Sequence, residues 1–153
     1  MAHEGPRRFM EQALALARQA ASEGEVPVGA VVVDDSGAVF EGRNRSGHAS
    51  PLLHAEMEAL SAALEAKGRH GLAGCTLYVS LEPCLMCLGA MAMARIGGLV
   101  YACPEPRFGG VALLQEMWKE GRYPHRFPVA SGLCEDEARK LLQAYFQARR
   151  LAE

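Results

Sequence analysis

The sequence predicts an α/β protein in which strands and helices alternate along the chain and pack as a layered sandwich. Three observations predict this class. Half of the 153 residues are apolar, which is enough to form a single hydrophobic core. Short apolar runs alternate with segments of helical composition. The first two apolar runs are separated by turn residues, as in an antiparallel hairpin. We therefore expect one domain that spans residues 1–153.

Each element follows from a local pattern. Apolar residues recur at helical spacing in the first segment, which Gly24 closes, and residues 34–37 carry turn chemistry between two strands. Ala, Leu and Glu content predicts the central helices, whereas the Pro and Gly residues of 104–110 predict a loop. The expected strands are residues 28–33, 38–44, 76–80, 99–102 and 127–130. The expected helices are the first segment, residues 55–67, residues 84–95, a short helix ending at residue 119, and residues 135–150.

Composition excludes several classes of protein. The start of the chain has no apolar signal-peptide core, and no run approaches the roughly 18 uncharged apolar residues of a membrane span, so we expect a cytoplasmic protein without a membrane partner. Five cysteines are an odd count without framework spacing, which favours reduced thiols and metal ligation over disulfides. Seven sulfur-containing residues are interpreted as core filling: Cys75, Cys103, Cys134, Met57, Met86, Met91 and Met93.

Three potential metal ligands and one carboxylate form the most informative pattern in the chain. His54 is followed by Glu56, and Cys84 and Cys87 come later, separated by two residues. Structural zinc normally has four protein ligands, whereas catalytic zinc keeps one position for water. Both thiolates can reach one ion from the first turn of a helix, where the helix dipole favours their deprotonation. The pattern therefore predicts an open Zn²⁺ site with hydrolytic chemistry, in which Glu56 carries protons.

Four segments carry a resemblance to a known family. They are residues 25–31, 42–44, 54–56 and 77–84. With these segments the chain resembles the cytidine deaminase superfamily, and within it the bacterial tRNA adenosine deaminases. The resemblance implies a three-layer α/β/α sandwich around a mixed five-stranded sheet and one Zn²⁺ per chain. It also implies a homodimer, with the helix near residues 84–95 at the interface.

The resemblance further implies three substrate-binding residues. Asn44 matches the family's base-contacting asparagine, and its amide can both donate and accept hydrogen bonds. From the residues alone, the alternative is a turn asparagine that bonds its own backbone. Val28 and Ala55 are expected to line the pocket. Without the resemblance, their apolar side chains would be interpreted as part of the core.

The implied reaction is hydrolytic deamination of an amino-substituted nucleobase, most similar to conversion of adenosine to inosine at the wobble position of tRNA. Glu56 would take a proton from water, pass it to a ring nitrogen, and finally protonate the departing ammonia. The alternative enzyme is a deaminase of a free base or nucleoside such as guanine, adenine or cytosine. A zinc-stabilised interaction module is a third hypothesis, but such a module has no need for Glu56.

Three features depart from the tRNA deaminases. Leu52 and Leu53 stand where the family commonly has Thr-Ala before its histidine, and residues 106–113 lack the serine of the family's basic loop. The formal charge of −2 gives no general attraction for a polyanion, so any tRNA affinity must come from local cations. The alternative is that these cations face solvent, where those at a helix C-terminus interact favourably with its dipole. The candidates for phosphate contact are Arg122, His125, Arg126, Arg149 and Arg150.

Overall fold

The structure is a computed structural model that describes residues 4–152, so both ends of the predicted domain 1–153 lie outside the described residues. Helices and strands alternate as expected. In chain order the elements are α1 (Glu4–Ser22), β1 (Gly29–Val33), β2 (Val39–Arg43), α2 (Ala55–Lys67), β3 (Thr76–Leu81), α3 (Leu85–Met93), β4 (Gly98–Cys103), α4 (Val111–Lys119), β5 (Val129–Ser131) and α5 (Glu135–Ala152).

The strands form one mixed five-stranded sheet with the order β2-β1-β3-β4-β5. β1 pairs antiparallel with β2 and with β3, whereas β3–β4 and β4–β5 are parallel. The predicted hairpin is confirmed. Its turn is closed by Asp34, whose carboxylate accepts the backbone N–H groups of Ser36 and Ala38, both at 2.9 Å.

Helices cover both faces of the sheet, which confirms the three-layer sandwich. Because successive strand residues point to opposite faces, β1 contributes to two separate cores. Val31 and Val33 pack on α1 and α5, whereas Ala30 and Val32 pack with α2, α3 and α4. The layer that contains α2 and α3 also holds the predicted zinc ligand Cys87.

Two glycines allow helices to lie directly on strand backbone. A Cβ at Gly29 would lie 1.9 Å from the carbonyl oxygen of Ala13 in α1. A Cβ at Gly42 would lie 2.1 Å from the carbonyl oxygen of Ala55, the first residue of α2. No side chain fits at such separations. Gly42 therefore sets the close approach of β2 to the start of α2, where His54 and Glu56 are found.

Several predicted boundaries differ from the structure by one or two residues, and two of these differences have a clear physical cause. The helix expected to reach residue 95 ends at Met93, because Arg95 adopts a left-handed φ of 57° and turns the chain toward β4. The last strand is β5 (Val129–Ser131), not residues 127–130. Phe127 instead packs edge-on against Trp118, with ring centroids 5.1 Å apart, so it belongs to the core and not to the ladder.

The sulfur-containing residues are mostly buried as expected. Cys75, Cys103 and Cys134 are buried free thiols, Met91 is fully buried, and Met57 and Met86 are half-buried against the same core. The interpretation of Met93 is wrong, because this side chain is 82% exposed at the end of α3. Among residues 4–152, no helix combines the length and apolar character needed to cross a membrane.

Candidate metal centre and active site

Two helix N-termini deliver the predicted metal ligands to one place. His54 is the N-cap residue of α2, and Cys84 is the N-cap residue of α3. Neither side chain caps its helix by a hydrogen bond, so both are free to point at a ligand. Cys87 lies one turn into α3 and is fully buried. Pro83 stands immediately before Cys84, where its fixed φ favours the start of a helix.

The distances between the three ligand atoms fit a tetrahedral zinc ion. The sulfur atoms of Cys84 and Cys87 are 3.8 Å apart, and they lie 3.6 and 3.5 Å from Nδ1 of His54. Bond lengths of about 2.3 Å for Zn–S and about 2.05 Å for Zn–N, at tetrahedral angles, give separations of about 3.8 Å and about 3.6 Å. The three side chains are therefore already spaced for one Zn²⁺. In the described part of the chain, this is the group of His, Cys and acidic residues that meets the spacing for a metal ion.

The electrostatics of the cluster favour a cation. The contact with Cys87, together with His54, lowers the pKa of Cys84 to about 3, which favours a thiolate at this position. The contact with Cys84 and burial raise the pKa of Cys87, so binding of Zn²⁺ by both sulfurs would displace the proton of Cys87. The Cys84 thiolate also raises the pKa of His54. Soft thiolate and imidazole ligands of this kind suit Zn²⁺.

Glu56 lies beside the three ligands without joining them. It is the second residue of α2 and is only 4% exposed. Burial raises the pKa of Glu56 to about 7, although hydrogen bonds from its own backbone N–H and from Cys87 oppose this rise. A carboxylate with a pKa near neutrality can both accept and return a proton at pH 7. This is the arrangement expected for a hydrolytic site.

The predicted base-contacting residue is buried and held firmly. Asn44 follows β2 and is 5% exposed. Its Nδ2 donates to the carbonyl of Val26 at 3.2 Å, and its Oδ1 accepts the backbone N–H of Ser46 at 3.2 Å. The bond to Ser46 is the turn contact that the sequence left as an alternative. One N–H and one oxygen lone pair of the amide are not used by these bonds.

Val28 and Ala55 both belong to the core on the zinc side of the sheet. Ala55 is fully buried in the cluster that includes Cys87, and Val28 is half-buried against it. The carbonyl of Val28 accepts the backbone N–H of Asn44 at 3.0 Å, which joins β1 to the residue proposed for base recognition. The structure therefore brings the predicted site residues into one region, while their individual roles stay predictions.

Two carboxylates that organise loops around the site were missed in the sequence. Glu25 is buried, and it accepts a backbone N–H from Gly47 at 2.8 Å and contacts Nδ1 of His48 at 2.6 Å. Burial raises its pKa, but these contacts outweigh burial and lower it overall. Glu82 accepts backbone N–H groups from Glu105 and Val111. Both lie inside the segments 25–31 and 77–84 that carry the family resemblance, but no local pattern indicated their partners.

The predicted phosphate-contacting cations have different surroundings. Arg126 donates to the carbonyl of Trp118, and Arg122 pairs with Glu120 at 3.1 Å, so both already have partners within the chain. Arg149 stacks over the ring of Tyr145 and donates to its hydroxyl at 2.7 Å. A surface groove of about 390 Å³ runs between this part of α5 and the loop that carries His48. Arg149 therefore lines this groove, and His125 lines a second groove of about 570 Å³ together with Arg69 and Arg95.

Comparisons with known proteins agree with this site. The family described as "Cytidine and deoxycytidylate deaminase zinc-binding region" matches residues 4–103. The tRNA-specific adenosine deaminase of Agrobacterium fabrum is 39% identical over 144 residues, which cover 94% of this chain and 95% of that protein. A solved structure from a study of A-to-I editing by tRNA:A34 deaminases at the wobble position superposes with a TM-score of 0.81 at 40% identity, over 88% of this chain and 99% of that one. The guanine deaminase of Nitrosomonas europaea superposes with a TM-score of 0.75 at 31% identity, over 92% and 84% of the two chains.

Proposed function

The chain belongs to the family of zinc-dependent cytidine and deoxycytidylate deaminases, and on that premise we propose that it converts adenosine to inosine at the wobble position of tRNA. It is a zinc-dependent hydrolase that releases ammonia from an amino-substituted base. The observation that carries the proposal is the spacing of the sulfur and nitrogen atoms of His54, Cys84 and Cys87, next to a buried carboxylate.

We assign the metal-ligand role to His54, Cys84 and Cys87, and the catalytic role to Glu56. Zinc, when bound there, supplies a water that is acidic enough to act at neutral pH. Glu56 accepts a proton from that water and donates it to a ring nitrogen while the water oxygen bonds to C6 of adenine. The second water proton then reaches the amino group through Glu56, the C6–N bond breaks, and ammonia leaves as C6 becomes a carbonyl.

Base recognition is assigned to Asn44, Val28 and Ala55. Because Asn44 is fixed by Val26 and Ser46, its unused N–H and lone pair face a base without a further entropic cost. Val28 and Ala55 supply apolar contact to the base. Water exclusion by these side chains strengthens the hydrogen bonds made at the reacting ring.

Adenosine in tRNA is favoured over a free base by the similarity to proteins whose names state that activity. The curated relatives cover more than nine-tenths of this chain at 34–39% identity. The rival is deamination of a small base such as guanine. Leu52, which is 61% exposed two residues before His54, favours this rival because it places an apolar side chain beside the ligand.

We further propose a homodimer in the cytoplasm, where a tRNA substrate is found. Leu85 and Met93, at the two ends of α3, are 52% and 82% exposed. Apolar side chains at both ends of one short helix are typical of a surface covered by a partner. Sedimentation velocity tests the dimer. We expect the wild type to sediment as a dimer and Met93→Glu to sediment as a monomer.

The proposed substrate is tested by ammonia release from zinc-loaded protein on four substrates in parallel. They are bulk tRNA, an anticodon stem-loop containing adenosine, guanine, and free adenosine. The proposal predicts inosine in the two RNAs, with activity that falls steeply as salt is raised because phosphate contacts release counterions. Release from guanine alone, insensitive to salt, would establish the rival.

A further inference from the structure

We propose that Glu82 is a positioning residue, which anchors the loop 104–110 beside the zinc-ligand helix and thereby sets the binding of the RNA substrate. The inference rests on the proposed function, because it concerns how the same site holds its substrate. Glu82 stands two residues before Cys84, yet it is not part of the group of metal ligands.

The carboxylate of Glu82 holds both ends of this loop. Its Oε1 accepts the backbone N–H of Glu105 at 3.1 Å, and its Oε2 accepts the backbone N–H of Val111 at 3.2 Å. Val111 is the first residue of α4, whose N-cap residue Gly110 provides no side-chain cap. A carboxylate at a helix N-terminus also interacts favourably with the helix dipole. One side chain therefore fixes where the loop leaves β4 and where α4 begins.

Glycine makes this anchor possible. A Cβ at Gly109 would lie 2.3 Å from Cδ and 2.4 Å from Oε2 of Glu82, so no larger residue fits while the carboxylate stays in place. A Cβ at Gly110 would lie 2.9 Å from a methyl group of Leu85, the first residue of α3. The loop therefore packs closely against both Glu82 and α3.

A second set of contacts ties the loop to the residue next to the ligand. The backbone N–H of Gly110 donates to the carbonyl of Pro83 at 3.0 Å, and the backbone N–H of Glu82 donates to the carbonyl of Cys103 at 2.8 Å. Residues 82–83 and the ends of the loop are thus joined through backbone and side chain alike. Any shift of the loop relative to Cys84 must break several of these bonds.

The anchored loop presents groups that suit a nucleotide. Phe108 is 65% exposed, and the guanidinium of Arg107 lies 5.3 Å from the centre of its ring. An exposed aromatic ring with an adjacent cation can stack on a base and contact its phosphate. Neither residue is part of the group that holds zinc. Loss of the anchor should therefore weaken substrate binding and leave the chemical step intact.

The test compares Glu82→Gln with wild type in two independent assays. Glutamine keeps the size of the side chain but has one acceptor oxygen, so one of the two loop bonds is lost. Limited trypsin digestion should cleave after Arg107 at least about tenfold faster in Glu82→Gln, since loss of one charge-assisted hydrogen bond raises the open population by about that factor. KM for the anticodon stem-loop should rise about tenfold while kcat and zinc content stay unchanged.

A second variant keeps the inference testable if Glu82→Gln does not fold. The added methyl group of Gly109→Ala pushes the loop away from Glu82 and should give the same rise in KM. The double variant should have a KM close to that of either single variant. Gly74→Ala is the matched control, because the nearest atom to its Cβ would be at an ordinary 3.5 Å. An unchanged digestion rate and KM, or a loss of zinc, would overturn the inference. Absence of inosine with the wild type would instead contradict the proposed function. The digestion assay would still test whether Glu82 anchors the loop.

Discussion

The zinc centre and the surface that surrounds it are built in opposite ways. At the centre, His54 and Glu56 are two residues apart at one helix start, and Cys84 and Cys87 are three apart at another. At the periphery, two loop-anchoring carboxylates each bond a residue more than twenty positions away, Glu25 with Gly47 and Glu82 with Glu105. The centre itself joins distant residues, since His54 lies 30 and 33 positions from Cys84 and Cys87, but each half is marked by a short local pair. The comparison teaches that the ligand pairs can be recognised from local spacing, whereas the single residues that anchor the surrounding loops cannot.

This contrast explains what similar proteins share and where they differ. The chain is similar both to a tRNA-specific adenosine deaminase and to a guanine deaminase. A hydrolytic centre of two thiolates, one imidazole and one carboxylate serves either base, since each reaction replaces an exocyclic amine by oxygen. We expect discrimination between the two bases to come from Asn44, the loop 104–110 and the groove beside α5.

The largest effect is expected at the centre. Glu56→Gln removes the proton carrier without changing size, and it should lower kcat by about 10²–10⁴-fold while zinc stays bound. Turnover and zinc content are measured on the same sample. Glu58→Gln is the matched control on the same helix turn; its partner Arg45 is 2.8 Å away and partly exposed, so little change is expected. Full turnover in Glu56→Gln would refute its catalytic role.

Loss of a metal ligand should be nearly as severe and should also be visible without an assay of turnover. Cys87→Ser is expected to lower zinc affinity by more than about 100-fold, since even changes beyond the ligands cost 10–100-fold. Competition with a chromogenic chelator measures the affinity. Cys75→Ser serves as control, because this buried thiol donates to the carbonyl of Gly71 and serine keeps that bond. Equal zinc affinity in both variants would show that Cys87 is not a ligand.

An intermediate effect is expected at the boundary between the two regions. Asn44→Asp keeps the acceptor that holds Ser46 but loses the donor, and it should lower kcat/KM by about tenfold to 100-fold through lost base contact. Steady-state kinetics on the stem-loop provide the measurement. Ser50→Ala, in the same loop, removes only a bond to the backbone N–H of Leu52 and should leave kcat/KM unchanged. Equal losses in the two variants would mean that Asn44 acts only through the loop.

The smallest effect is expected far from the site, at the β1–β2 turn. Hydrogen bonds from Ser36 and Lys67 hold the pKa of Asp34 well below its ordinary value of 3.8. Since the folded-state pKa is the lower one, the stabilisation is present above pH 3.8 and is lost as pH falls below it toward the folded-state pKa. Asp34→Asn should therefore lower the urea midpoint at pH 7, and its difference from wild type should shrink in acid. A difference that is constant with pH would contradict this account.

The sequence predicts the zinc centre better than it predicts the contacts that surround it. Both bounds of α2 were predicted from its Ala, Leu and Glu content, and in the structure Gly68 ends the helix with a φ of 83°. β5 was misplaced because Phe127 is held by Trp118 through a contact that no local pattern reveals. The three ligands were predicted from their spacing together with the family resemblance, and their ligand atoms lie within 4.8 Å of one another. Glu25 and Glu82 were missed because their partners lie 22 and 23 residues away, beyond the reach of any local motif.

The most direct test of the account is a competition between two substrates in one reaction. An anticodon stem-loop containing adenosine and free guanine are mixed with zinc-loaded protein, and inosine and xanthine are measured by mass spectrometry. The account predicts inosine with a kcat/KM at least about 10³-fold above that for guanine, because a site that hydrogen-bonds one substrate leaves polar groups unpaired with another. Equal rates, or xanthine alone, would contradict the claim that the periphery selects adenosine in RNA.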